Sequence, residues 1–178
     1  MNALVEDQMS RLRRALDSDD AHVAFDRHWG ANRVRFGRYN GTTPVPGHPW
    51  RLNDEGQREL NRPKHDELKT AFKEAIGQYQ QLATAIRAAR EHLNSVEDAG
   101  GDAGDAKRQL DNLKEQMSFV PRMSPSSAEM FHRWEMQAAP PDLLITNVSM
   151  LSIMLMRQAS YAIAEDRADA DVFEATRE

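Results

Sequence analysis

The sequence predicts an all-α fold, an antiparallel helical bundle, and three observations carry that reading. Apolar residues recur at alternating steps of four and three from Leu68 to Val96, across four heptads. A glycine-rich break follows, and the same spacing resumes from Ala106 to Val120, which describes a long α-hairpin with facing seams. A third helix, apolar on nearly every side, is expected near the C-terminus and would belong in a core.

Taken in order, Val5, Met9, Leu12 and Leu16 mark a first amphipathic helix over residues 2–17. Ser18, Asp19 and Asp20 offer caps for a second, short helix that carries Phe25 and Trp29 four apart, with Gly30 as its terminator. The helical pattern then stops. From about residue 30 to 53 the chain reads as a non-helical arm, an ordered loop or lone hairpin rather than part of a sheet. Asn40-Gly41 signals a tight turn there, and Pro44, Pro46 and Pro49 prevent helix.

Residues 54–61 read as a turn of helix before Pro63, which suits the first turn of the long helix because its missing N–H costs nothing at that position. EDAGGDAGD, residues 97–105, is the acidic turn of the hairpin. Ser124-Pro125 opens a short helix with Phe131 and Trp134, ended by Pro140-Pro141. The closing helix is expected from about Pro141 toward Phe173, and the polar stretch 165–178 is expected to fray. MLSIMLMRQASYAIAEDRA, residues 150–168, resembles the closing helix of small prokaryotic four-helix-bundle proteins of the four helix bundle suffix type; the resemblance covers about a tenth of the chain and implies a bundle but no activity.

With 178 residues, 40% of them hydrophobic and 29% charged, the chain has the composition of one globular domain spanning 1–178. It has no cysteine, which excludes disulfides, thiolate metal sites and cysteine nucleophiles, and places the expected compartment in the cytoplasm. MNALVEDQMSRLRR at the start lacks the apolar stretch of a secretory signal. The longest apolar run, ending at Met156, is too short for the roughly 20 residues of a membrane span, so no membrane partner is expected.

Charge is segregated. The net value is −5, yet between Arg27 and Asn53 there are five arginines and no acid, set in a remainder at −10. Arg27, Arg33, Arg35, Arg38 and Arg51, with Trp29, Phe36, Tyr39, Trp50 and the lone His48, are therefore the candidate binding residues. Arginine pairs bidentately with carboxylates and stacks on rings, so the first reading is docking of an acidic protein or of a second copy. The uncovered part of the long seam also points to assembly. The alternative reading is an accessory nucleic-acid binder, with arginines on phosphates and rings on unpaired bases. A third has the arm folded across its own bundle, its rings in the core and its arginines on helix acids.

Catalysis has no positive signal, and no catalytic residue, cofactor or metal is assigned. Glu129, His132 and Glu135 at successive three-residue steps could face one metal, but carboxylate di-metal bundles need that pair twice, with further glutamates. Asp98, Asp102 and Asp105 lack the oxygen spacing of a calcium loop. A metal-dependent bundle enzyme is the weakest of the functional alternatives.

Overall fold

A computed structural model describes residues 2–159. It corrects the all-α expectation: the fold is mixed α/β. The order is α1 (Asn2–Leu16), α2 (Asp19–Trp29), β1 (Phe36–Tyr39), β2 (Trp50–Leu52), β3 (Arg58–Leu60), α3 (Arg62–Asp98), α4 (Gly104–Met117), β4 (Glu129–Met130), α5 (Arg133–Ala138), β5 (Leu143–Thr146) and α6 (Val148–Ala159).

β1 is the centre of a three-stranded sheet in the order β4-β1-β5, with both neighbours parallel to it. Phe36 pairs with Leu143 and Glu129, and Tyr39 with Thr146. The stretch read as an ordered loop or lone hairpin is thus in part the middle strand of a sheet. Alternation along β1 then sets two cores. Phe36 meets Val5 and Met9 of α1, while Tyr39 meets Met130, Met136, Met150 and Met154 on the opposite face. Helices on both faces are what a parallel sheet needs, because its strands bury both sides.

Gly37 lies between these layers for a steric reason. A Cβ there would sit 2.6 Å from Met136 Sδ and 3.3 Å from the Met130 carbonyl oxygen. The turn after β1 is closed by its own side chains. Asn40 Oδ1 accepts from the Thr42 N–H at 2.9 Å, and the Thr43 hydroxyl donates to the Arg38 carbonyl at 2.6 Å. Val45, buried between two prolines, holds a positive φ of 54°, a conformation that costs a β-branched residue energy and persists through its burial.

Three further expectations are corrected. Residues 58–60 form a strand, not a helical turn, and pair antiparallel with residues 50–52. The helix opened by Ser124-Pro125 begins only at Arg133; Glu129 is on β4, so Glu129, His132 and Glu135 do not share a helix. The closing element is two: strand β5 runs from Leu143 to Thr146 and α6 starts at Val148. Nor is α6 buried all round, since Met150 and Met154 are buried while Val148, Leu155 and Met156 are exposed. Its expected course beyond Ala159, and the tail 165–178, lie outside the described residues.

The long hairpin is present as α3 and α4, packed on each other and joined by a short glycine-containing turn. Its base meets the sheet layers through Phe72, whose ring is tilted against that of Phe131 with centres 5.0 Å apart, and His65, whose ring centre lies 4.8 Å from that of Trp134. At the other side, Asp17 fixes the α1–α2 elbow to the start of β4. Its carboxylate accepts from the Ala128 N–H at 2.8 Å and the Ser127 hydroxyl at 2.7 Å, and lies 2.7 Å from His22 Nε2.

Candidate functional site

The arm residues are brought to the structure's interior or to partners within the chain, and they do not form one surface. Phe36 and Tyr39 are core residues. Arg33 pairs with Asp26 at 2.7 Å, Arg35 with Glu135 at 2.9 Å, Arg51 with Glu59 at 2.6 Å, and Arg38 with Glu6. Trp50 is stacked on His48, centres 4.5 Å apart, and Arg58 lies 4.2 Å from its ring centre. Arg27 and Trp29 are the pair left outward: Trp29 is exposed beside Phe25, and Arg27 has no ion-pair partner among the described residues.

Unpaired positive charge gathers elsewhere, in a cleft of about 700 Å³ between the α1–α2 elbow and the hairpin. The elbow contributes Arg14 and Asp17 to Asp20; α3 contributes Tyr79, Ile86, Arg87 and Arg90; α4 contributes Lys114 and Met117; Val120 and Arg122 follow. Helical spacing explains the lining. Tyr79 and Ile86 lie on the hairpin seam, where α3 outruns the 14 residues of α4 and leaves apolar side chains half-covered, and Arg90 follows Ile86 by one turn.

Arg14, Arg87, Arg90 and Lys114 are exposed and have no ion pair or side-chain hydrogen bond among the described residues. Arg122 is held at the rim by Asp19, 2.6 Å from its Nη1. Burial alone would lower the pKa of this guanidinium, but the Asp19 hydrogen bond and the nearby charges of Tyr79, Asp19 and Asp17 raise it above its ordinary value. Its Nε is buried with no hydrogen-bond partner among the described residues. Six basic side chains against three acids line the cleft, and two of those acids are already engaged, Asp17 with His22 and Asp19 with Arg122.

The chemistry of this lining is suited to anionic groups. Exposed, unpaired cations meet phosphates or carboxylates without first giving up a partner, whereas each paired arginine of the arm must exchange one carboxylate for another anion. Sequence reasoning missed this set because its members come from separate segments and none stands out locally; Arg87 and Arg90 sit in an ordinary amphipathic helix. The Glu129, His132, Glu135 set is dispersed. Glu129 is committed to Arg13, and His132 caps α5 by accepting from the Glu135 N–H at 3.2 Å. Burial lowers the His132 pKa against the opposing pull of Glu135.

No family model matches the chain, and no solved structure matches it. It is similar to Druantia protein DruE of Escherichia coli (strain UMEA 4076-1), with 32% identity over 185 aligned residues that take in all of this chain and 9% of that protein. The chain therefore spans about a tenth of the length of the curated relative it matches. No described helix is long and apolar enough to cross a membrane.

Proposed function

We propose that this chain is a non-catalytic nucleic-acid-binding module of a larger protein, gripping a phosphate backbone in the cleft between the α1–α2 elbow and the α3–α4 hairpin. The observation that carries the reading is the convergence of Arg14, Arg87, Arg90 and Lys114, all unpaired, on one cavity. Neutralising phosphates with such cations releases condensed counterions, which gives sequence-independent affinity. The half-covered Tyr79 and Ile86 offer an apolar floor for an unstacked base. Similarity along the whole chain to a small part of a far longer protein supports its being a module.

Fluorescence anisotropy with labelled single-stranded DNA and RNA tests this across a salt series. Binding at low salt that weakens steeply as salt rises, and is lost in the triple variant Arg87→Ala, Arg90→Ala, Lys114→Ala, is the expected result. No binding at low salt defeats the proposal.

A second reading, docking of an acidic protein, is favoured by Arg27 and Trp29 standing outward together at the end of α2. It expects that Arg27→Ala and Trp29→Ala abolish capture of an acidic partner from the native complex while leaving nucleic-acid binding unchanged.

A further inference from the structure

We infer that β5 is an internal strand in the working protein: a further parallel strand, supplied by polypeptide outside these residues in a longer chain, pairs with its outer edge, and an apolar helix accompanying that strand covers the exposed stripe of α6. The inference is independent of the nucleic-acid reading.

Among the described residues, the sheet order leaves β5 bonded on one side only. The Leu143 N–H donates inward to the Arg35 carbonyl at 3.0 Å, so by the alternation of a strand Ile145 also faces β1, and Leu144 and Thr146 turn their N–H and C=O groups outward. Native edges are commonly guarded by shortness, a charge, a proline or a bulge; Leu-Leu-Ile-Thr is short, at four residues, but contains no charge, proline or bulge. All-parallel sheets, moreover, occur almost only where both faces are covered by helices.

The helix that follows repeats the message. Met150 and Met154 face the core. Val148, Leu151 and Leu155, at steps of three and four, form a second apolar stripe and are 77%, 37% and 46% exposed. A helix with one stripe on the sheet and another in water is suited to lie between two layers.

The occupant is argued from two facts. A second copy related by a twofold would run its β5 antiparallel to this one and turn an all-parallel sheet into a mixed one. DruE carries its similar segment within a chain of which that segment is 9%, so ample polypeptide flanks the aligned strand there. A strand followed by a crossover helix is the unit that extends a parallel sheet.

Residue-resolved hydrogen exchange, run on this 178-residue chain and on full-length DruE, tests the inference, with light scattering on the chain alongside. The expected result is a monomeric chain whose Leu144 and Thr146 amides exchange about 100-fold faster than that of Ile145, and a DruE strand in which the two aligned outward amides are as slow as the inward one. Outward amides that stay fast in DruE overturn the proposal. So does a dimeric chain in which Leu144 and Thr146 become protected as concentration rises, which would assign the edge to a second copy.

Discussion

Arg13 of α1 and Glu129 of β4 form a bidentate ion pair, Nε to Oε2 at 2.6 Å and Nη2 to Oε1 at 2.7 Å, with the two side chains only 7% and 6% exposed. The third guanidinium nitrogen, Nη1, donates to the Ser118 carbonyl at 3.3 Å, so one residue ties the first helix, an edge strand and the end of the hairpin together. The sheet's short edge strand has two residues, and this pair adds a side-chain tie to its pairing with β1. Removing one partner strands a buried charge, so Glu129→Ala should cost about 3–5 kcal/mol, whereas the double change Arg13→Met with Glu129→Leu should recover most of it. Urea unfolding of the three proteins gives the comparison; equal losses in the single and double variants would show that the pair is not what matters.

Gly37 tests the layer spacing. With an ideal Cβ 2.6 Å from Met136 Sδ and 3.3 Å from a backbone carbonyl, Gly37→Ala forces either the methionine or the sheet to move. We expect a loss of about 1–3 kcal/mol. Gly41 has nothing within 4 Å of its Cβ position and a φ outside the left-handed region, so Gly41→Ala should change stability by no more than about 0.5 kcal/mol. Thermal melts of both variants check the contrast.

These features also explain what was legible beforehand. The α3–α4 hairpin could be read because its signal is local and repeats over many turns. The parallel sheet could not: β1, β4 and β5 have four, two and four residues, and β1 meets β5 across about a hundred residues of sequence. Val34, Arg35 and Phe36 alternate as a short strand would, but a strand of that length has no visible partner in the sequence. Leu143 to Thr146 merged with α6 into one apolar run because a short apolar strand and an apolar helix look alike when neither alternates. The arm's arginines were noticed as a composition, while their acids, Glu6, Asp26 and Glu135, lie on separate helices that only the fold brings near. The cleft was invisible for the same reason, since Arg14, Arg87 and Lys114 converge only in three dimensions.

His132 should make stability depend on pH. Its folded pKa lies below the ordinary value because burial disfavours the charged form, and its Nδ1 accepts the Glu135 N–H, which the neutral ring alone can do. A depressed folded pKa means that the unfolded chain takes up the proton first. The contribution is therefore complete above the unfolded value of about 6.5 and is lost as pH falls through it toward the lowered folded value. Denaturant midpoints from pH 8 to pH 5 should decline over that window. His132→Asn keeps a capping oxygen and removes the titration, so its profile should be flatter there; an unchanged decline would place the pH dependence on another group.

The division between cleft and arm makes the sharpest quantitative expectation. If Arg87, Arg90 and Lys114 each neutralise a phosphate, each alanine replacement should lower the slope of log affinity against log salt by about 1 and weaken DNA sequences of different composition alike. Arg35→Ala and Arg51→Ala, taken from arginines already paired with Glu135 and Glu59, should leave that slope unchanged. All five are at exposed positions, so folding should survive and circular dichroism serves as the control. Slopes that fall with the arm variants and not with the cleft variants would move the binding surface back to the arm and defeat the cleft assignment.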